Sequence, residues 1–329
     1  MAINLQTETG KQAIAQKASN LFYERHPKYL EDYGEKSKDR AYKDWLYHLS
    51  YLSNAISANE PNLFIDYLAW CKMFFNSINF PEKYFLASVV ILRELFVDAQ
   101  SEMGKKAHQY LILGLEAFPD LPTKTNSFIN KDSKLGVLAQ QYLNSLLRRE
   151  RKTAATLIFD SVESGTPIRD IYLRVFQPVQ YEVGRLWQLN QINVAMEHYC
   201  TAATQLLISR LYPYIFTGEK GDKKLVATSV SGELHELGIR MITDFFEMES
   251  WDTYYLGANT PHRSIISTVE DLQADVLAIS VTMPFHIDQA TDLINLLRSN
   301  QKSPDVNVLV GGYPFNRNQD LWQKVGADG

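Results

Sequence analysis

The spacing of apolar positions changes along the chain, and each spacing is typical of a different kind of domain. From the amino terminus to about residue 117, apolar residues recur at intervals of three and four, and Gly and Pro are confined to the joints. One of these helices is predicted to have Asn59 as its N-cap and Pro61 in its first turn. Two stripes show the pattern best: Phe64, Leu68, Cys71, Phe75 and Ile78, and then Phe85, Val89, Leu92 and Phe96. The pattern predicts an all-helical domain over residues 1–120.

A second helical region follows a linker. Residues 118–135 combine prolines with polar residues, as a long surface loop does. From Lys134 the helical period resumes up to residue 216, with breaks near 148–151, 164–167 and 189–193. Four helices of this length predict a four-helix bundle over residues 134–216.

The period changes again over residues 222–329. Short, continuously apolar runs at 225–230, 275–281 and 306–310, together with 251–256, predict parallel strands that are covered on both faces. Amphipathic stretches at 236–247, 262–272 and 287–299 predict the helices between them. This order indicates a doubly wound, Rossmann-like α/β domain, and the whole chain is of the α plus α/β class. The sequence stops at Gly329, where one more strand and helix are expected, which favours a domain truncated at its carboxyl end.

Composition narrows the class of protein. The chain has 329 residues, 45% of them hydrophobic, and a net charge of −5, which indicates a globular fold. Two cysteines, Cys71 and Cys200, are too few and too far apart for a disulfide framework or a C-x-x-C site. No apolar run nears the roughly 20 residues that cross a bilayer, and the amino terminus lacks a signal-peptide pattern. A cytoplasmic protein without a membrane partner is therefore expected.

The loop after the first predicted strand carries candidate chemistry. It reads from Ser231 to Gly238 and places His235 between Glu233 and Glu236 at the carboxyl edge of the sheet. Imidazole binds late first-row metals through one ring nitrogen, and a carboxylate on the other nitrogen orients it. Taken alone, such a motif is more typical of a solvated surface pair than of a metal ligand.

The spacing from this loop to two later motifs favours a functional role for His235 instead. From Gly238 there are 41 intervening residues to Ser280-Val281-Thr282, and from there 28 to Gly311-Gly312. These patches all follow strands and therefore share one sheet edge. With this spacing the sequence resembles the cobalamin-binding domain of methionine synthase and the cobalamin mutases, whose fingerprint is D-x-H-x-x-G, S-x-L and G-G.

The resemblance implies a role for each fingerprint residue. His235 would be the lower axial ligand of cobalt, in place of the cofactor's own base, which extends as a tail into a slot beside the sheet. The other positions would bind the cofactor, with Ser280 and Thr282 lining the slot and the glycines admitting close backbone approach: Glu233, Leu237, Gly238, Ser280, Thr282, Gly311 and Gly312. Glu233 replaces the usual Asp and can still orient His235, whereas Thr282 replaces Leu and leaves the exact contact to the tail open.

The bundle carries a second motif. Trp187 is followed, after nine residues, by Glu197-His198. By itself this pattern is typical of ordinary core and surface positions. Beside a cobalamin fingerprint, however, it resembles the upper-face signature of the cobalamin photoreceptors, in which the Trp lies over cobalt against a deoxyadenosyl group that the Glu and His also contact.

That resemblance implies a light sensor without catalytic activity of its own. Its cofactor would be adenosylcobalamin, whose cobalt–carbon bond breaks in light, and the bundle would then move and alter self-association. The photoreceptors carry a histidine just after the Trp, where this chain has Gln188, so the upper ligand after illumination is left open between His198 and water. The downstream partner and the direction of the response are not predicted.

The first domain does not resemble a DNA-binding one. Residues 1–120 hold thirteen Lys or Arg against fifteen Asp or Glu, so no basic recognition face and no direct nucleic-acid partner are expected. Its many aromatic residues resemble the globin-like sensor domain of the photocobilins, which implies biliverdin as a second chromophore. The candidates His26, His48, His108 and Cys71 lack a spacing that identifies a bilin contact, so the bilin-binding residues stay unknown.

Two alternatives remain. The chain could be a corrinoid carrier that shuttles a methyl group for a partner methyltransferase, in which case methylcobalamin would be the preferred form. The α/β domain could instead belong to a redox or ligand sensor for a different nucleotide-like molecule, which the fold alone permits. This last alternative leaves the His, Ser and Gly-Gly spacings unexplained.

Overall fold

The computed structural model describes residues 4–216, 220–300 and 305–329. The predicted α/β domain therefore includes four residues, 301–304, that lie outside the described part. The chain divides into two compact units, one of residues 1–123 with 283–288, the other of residues 124–282 with 289–329. The helical amino-terminal region and the parallel-sheet, Rossmann-like region have the predicted α plus α/β character.

The first unit contains helices and loops and no strand within its described residues. Its α-helices are α1 (Glu8–Arg25), α2 (Pro27–Tyr33), α3 (Ser37–Ser57), α4 (Pro61–Ser77), α5 (Glu82–Phe96) and α6 (Glu102–Ala117), followed by a 3₁₀ turn over Phe118–Asp120. The predicted cap Asn59 is wrong, because Asn59 has a φ of 50° and the N-cap is Glu60, whose carboxylate accepts from the Asn62 amide. Asn tolerates this left-handed conformation, so it ends the turn after α3 instead of starting α4. Whether the unit is globin-like stays a prediction.

Aromatic and buried polar side chains share the interior of the first unit. Tyr51 stacks on Tyr67 with 3.9 Å between ring centroids, and Phe285 of the 283–288 segment meets Tyr51 edge-on at 5.5 Å. The Tyr67 hydroxyl also lies 2.6 Å from Nδ1 of His48. Burial lowers the pKa of His48 to about 4, so this imidazole is neutral at pH 7. These aromatic residues thus pack against one another within this unit, and a bilin chromophore there stays a prediction.

In the second unit, helical segments precede the sheet. They are α7 (Lys134–Leu147), α8 (Arg151–Glu163), α9 (Ile168–Ile171), a π turn (Tyr172–Phe176), α10 (Gln177–Gln188) and α11 (Val194–Ile215). The π turn joins α9 to α10 without a break, so within the described residues four helical stretches are present. They enclose one apolar core that includes Tyr142, Tyr172, Phe176 and Leu207. The helix breaks fall where the sequence predicts them. We call α7 to α11 the bundle below, and a four-helix bundle architecture for them stays a prediction.

The sheet has four parallel strands within the described residues, in the order β2-β1-β3-β4. They are β1 (Lys224–Ser229), β2 (Asp252–Gly257), β3 (Val276–Ser280) and β4 (Asn307–Gly311), and the helices are α12 (Leu237–Met248), α13 (His262–Leu272), α14 (Ile287–Arg298), α15 (Tyr313–Arg317) and α16 (Leu321–Lys324). All of β3 is buried, as the continuous apolar run predicts. After α16, the Asp328 amide donates to the carbonyl of Val308 in β4.

Helix α12 belongs to two cores at once. Its Met241 lies in the core of the bundle, whereas its Ile239 lies in the core against the sheet. Leu237, Phe245 and Met248 pack against the bundle core from the same helix. Because α12 begins two residues after His235, the position of that histidine is tied to both layers of this unit.

No helix in the described part of the chain has the length and apolarity that crossing a bilayer demands.

Candidate functional site

The strand register brings the fingerprint motifs to one edge. Ser229 of β1 pairs with Ser280 of β3, and Ser280 pairs with Gly311 of β4. Parallel strands place their carboxyl ends on the same side, so the loops that follow these residues are neighbours. The structure thereby brings together fingerprint residues that are up to 79 positions apart in the sequence, from Glu233 to Gly312.

Glu233 is the centre of this edge. Its side chain is fully buried, with 0% of its surface exposed. One carboxylate oxygen, Oε1, accepts from the His235 amide at 3.0 Å and lies 2.6 Å from His235 Nδ1. The other oxygen, Oε2, accepts from the Thr282 amide at 2.9 Å, at the end of β3. A buried carboxylate needs such partners, and here they bind the first loop to the third strand.

His235 projects from the buried carboxylate towards solvent. Its side chain is 58% exposed, although Glu233 is enclosed. The hydrogen bond that His235 donates to Glu233 raises the pKa of His235, burial opposes the rise, and the charges of the Glu233 and Glu197 carboxylates add to it. Because Nδ1 of His235 is bonded to Glu233, Nε2 is the ring nitrogen that would coordinate a metal.

The β3 and β4 motifs border the same edge. Ser280 is buried, and Thr282 contributes its backbone amide to Glu233. A Cβ atom at Gly311 would meet nothing within 4 Å, so the site has open space next to its Cα atom. Gly312 has a φ of 109°, and a Cβ atom at this position would lie 1.9 Å from the Val281 carbonyl oxygen. The need for glycine at 312 thus follows from the neighbouring strand, in addition to any cofactor.

The end of the first motif begins helix α12. Leu237 is its first residue and packs against the bundle core, and Gly238 faces open space. Between His235 and Leu237 lies Glu236, which is not part of the fingerprint. Its Oε1 accepts from Gln205 Nε2 of α11 at 2.8 Å, and its Oε2 accepts from the Ala258 amide at 2.9 Å. The sequence shows this second carboxylate beside His235 but contains no pattern that predicts its partners.

The bundle motif lies at the junction of α10 and α11. Trp187 is 37% exposed, in the last turn of α10, whereas the neighbouring Gln188 is buried. Glu197 Oε2 lies 2.6 Å from His198 Nδ1, and the His198 side chain is 74% exposed. Because the Glu197 carboxylate raises the pKa of His235, the bundle motif and the candidate cobalt ligand lie within electrostatic range of each other. Gln188, by contrast, is enclosed.

Polar contacts from α12 extend the link between bundle and sheet. The Tyr172 hydroxyl donates to Asp244 Oδ2 at 2.7 Å, and Arg240 donates to the Ser209 hydroxyl at 2.9 Å. Both Tyr172 and Asp244 are buried. Sequence reasoning missed this pair, since an isolated Tyr and Asp that are 72 residues apart carry no pattern.

The protein ligands available at this edge suit a metal that is already held in a macrocycle. Over the described residues, no group of three or more His, Cys, Asp or Glu side chains could hold an ion. A single imidazole fixed by a buried carboxylate, beside open space at Gly311, fits a metal whose remaining positions are filled by another ligand.

Comparisons with family models match two ranges of the chain, both of which follow residue 137. Residues 223–329 match a family model described as B12 binding domain, and residues 138–212 match a second model of the same description. The dimethylamine corrinoid protein of Methanosarcina barkeri is 25% identical over 155 residues, 46% of this chain and 68% of the relative. Dimethylamine corrinoid protein 3 of Methanosarcina acetivorans is 29% identical over 111 residues, 32% of this chain and 51% of the relative.

The solved structure of the Methanosarcina barkeri monomethylamine corrinoid protein shares the fold. It is 16% identical with a TM-score of 0.52, over 58% of this chain and 91% of that chain. Against the curated relatives quoted above, this chain spans between about half and two thirds of their length. All three of these proteins are named as corrinoid proteins, and none of their names refers to a light sensor.

Proposed function

We propose that His235 holds the cobalt of a corrinoid and that the chain carries its upper methyl group for a partner methyltransferase, because residues 138–212 and 223–329 match models described as B12 binding domain. The role of His235 as cobalt ligand rests on the 2.6 Å contact between its Nδ1 and the fully buried Glu233. The role as a methyl carrier rests on the relatives, which are named as dimethylamine corrinoid proteins.

The side chains at the sheet edge have distinct tasks in this proposal. Glu233 holds the proton at His235 Nδ1 and presents Nε2 outward. Ser280 and Thr282 border the slot for the nucleotide tail, while Gly311 leaves the space in which the tail would lie. When bound, cobalamin supplies a cobalt–carbon bond whose alkyl group is passed to a partner or released by light.

The bundle covers the other side of the cofactor in this proposal. Trp187 and the Glu197–His198 pair would face the upper group, and they remain partly exposed at their helix ends. An exposed cap admits a partner enzyme, as a carrier requires. The chain itself would then be a substrate for partner enzymes and would have no catalytic activity of its own.

Substitution of the candidate ligand tests the shared part of the proposal. The absorption spectrum of the protein with methylcobalamin should show imidazole ligation, and His235→Ala should lose it. His108→Ala, which removes a histidine from the other unit, should leave the spectrum unchanged. An unchanged spectrum in His235→Ala would remove His235 from the axial position.

A specific observation favours a second candidate, a light sensor. The Trp187, Glu197 and His198 motif has the photoreceptor spacing, and Glu197 acts electrostatically on His235. Residues 1–123 of the first unit, moreover, lie outside the ranges that match the B12 models. In this proposal adenosylcobalamin is the cofactor, biliverdin binds the first unit, and light changes self-association.

The upper ligand and the response to light separate the two candidates. A carrier should prefer methylcobalamin and keep its mass in size-exclusion chromatography after green light. A sensor should prefer adenosylcobalamin, change its spectrum and mass on illumination, and retain a red-absorbing band with biliverdin. For a sensor, Trp187→Ala should bind cobalamin but lose preference for the adenosyl form, whereas Tyr181→Ala, an exposed aromatic on the same helix, should keep it. Equal selectivity in both variants would contradict the upper-face role.

A further inference from the structure

The carboxylate of Glu236 joins two other elements to the loop that carries the candidate cobalt ligand. Its Oε1 accepts from Nε2 of Gln205 in α11 at 2.8 Å, and its Oε2 accepts from the Ala258 amide after β2 at 2.9 Å. Glu236 is also the N-cap residue of α12, but its side chain makes no capping hydrogen bond to that helix. An acidic N-cap side chain ordinarily accepts from the first amides of its own helix, so these outward bonds need another explanation.

Polar bonds, and not apolar burial, hold the loop at His235. The side chain of Leu234 is 73% exposed, and that of His235 is exposed as well. Glu233 accepts from the His235 amide and contacts its ring, and the Ser229 hydroxyl donates to the His235 carbonyl at 3.3 Å. These partners precede His235 in the sequence. The bonds of Glu236 therefore restrain the loop on the side that follows His235.

The bond between Gln205 and Glu236 ties this loop to the bundle. Helix α11 is one of the helices that form the bundle core, so the loop is anchored to a packed helix. One turn further along α11, the Ser209 hydroxyl accepts from Arg240 of α12 at 2.9 Å. Arg240 is five positions away from His235, whereas Glu236 is its direct neighbour. Of these two bonds, the one at Glu236 acts on the backbone of the candidate ligand.

We propose that Glu236 is a positioning residue for the axial ligand, which holds the His235 loop between α11 and the loop after β2 so that His235 ligates cobalt. The inference rests on the proposed cobalamin site and gives a role to a position that the fingerprint leaves open. Glu236 acts through the backbone of its neighbour and not through a bond to the metal. Loss of hydrogen bonds to a charged carboxylate should shift the ratio of ligated to unligated cobalt about tenfold.

A double-mutant cycle with His235 tests this role in the full chain. Glu236→Ala should raise the dissociation constant of methylcobalamin about tenfold, because ligation by the imidazole is weakened. In the His235→Ala background the same substitution should change the constant less than about twofold, since no axial bond is left to weaken. Electron paramagnetic resonance of the bound cob(II)alamin form gives a second readout. With ¹⁵N-labelled histidine, the protein imidazole splits the cobalt lines into doublets, and Glu236→Ala should reduce this doublet signal.

Matched variants separate the two bonds of Glu236. Glu236→Gln should recover most of the affinity, because its oxygen accepts from the Ala258 amide and its nitrogen donates to Gln205 once that amide turns over. Gln205→Ala removes only the bond to α11 and should cause a smaller loss, of about threefold. Ser209→Ala, which removes the next hydrogen bond between α11 and α12, should change neither the dissociation constant nor the doublet.

Each result decides the inference. An equal loss from Glu236→Ala with and without His235 would overturn it, and so would an unchanged doublet in Glu236→Ala or an equal effect of Ser209→Ala and Gln205→Ala. If Glu236→Ala fails to fold, the cycle is run with Gln205→Ala, and a lack of coupling to His235 there would also contradict the role. If the unaltered chain binds cob(II)alamin without the doublet, His235 is not the axial ligand and the proposed function itself is wrong, which is a different outcome.

Discussion

The buried carboxylate Asp244 should make the stability of the second unit depend on pH. Burial raises the pKa of Asp244 from 3.8 to about 6, although the Tyr172 hydroxyl and Arg240 act in the opposite direction. An unfolded chain releases this proton near pH 3.8, whereas the folded protein keeps it until about pH 6. The folded state binds more protons between these values, so stability falls as the pH rises through this interval.

The difference between the folded and unfolded pKa values of Asp244 sets the size of this loss of stability. The difference between 3.8 and about 6 is worth about 3 kcal/mol above pH 6, since each tenfold change corresponds to about 1.4 kcal/mol. Asp244→Asn removes the charge and retains an oxygen that accepts from Tyr172. The variant should therefore be more stable than the unaltered protein at pH 8 by up to about 3 kcal/mol, and by about half as much at pH 5.

Differential scanning calorimetry at the two pH values measures this difference. For a unit of this size, 3 kcal/mol corresponds to a rise of roughly 6 to 12 °C in the melting temperature at pH 8. Asp271→Asn, which neutralises an exposed carboxylate, should shift the transition little at either pH. An Asp244→Asn variant that melts at or below the unaltered protein at pH 8, or that gains equally at both pH values, would refute the reasoning.

Two further substitutions test the packing. Gly312→Ala should lower stability by at least about 2 kcal/mol, because its Cβ would collide with the Val281 carbonyl at a φ of 109°. Gly184→Ala, in open space on α10, should instead be neutral or raise the melting temperature, and equal effects would count against the collision. Lys72→Met should cost about 2 to 4 kcal/mol in urea unfolding, because the buried Lys72 ammonium donates to the carbonyls of Phe118, Pro119 and Leu121. Lys106→Met, which loses one exposed bond to Asn59, should cost less than 1 kcal/mol, and a similar loss in both would weaken this account.

Much of the secondary structure follows from periodicity alone. Helix α13 spans His262–Leu272 as the sequence predicts, and each strand begins and ends within two residues of its predicted limits. Apolar spacing is a local property, and these elements bury the faces that the spacing defines. The cap at Asn59 was wrong because Asn suits both a cap and a left-handed turn, and the choice depends on where α3 ends.

The candidate site was only partly predictable. Motif spacing led to His235, Glu233, Ser280 and the glycines, since their positions after strands place them at one edge. The partners of Glu236 were not predictable, because they depend on which helix and which loop meet at the sheet edge.

The amino-acid sequence by itself determined the kinds of element, their order and the cobalamin fingerprint, because local spacing and chain order carry these features. Only the tertiary structure decided that Glu233 is fully buried while His235 is exposed, and that α12 contributes to two cores. It also decided that the Tyr172 hydroxyl opposes the rise that burial causes in the pKa of Asp244. Burial and hydrogen-bond partners are sums over residues that are distant in the sequence. They exist only once the strands are in register and the bundle lies against α12.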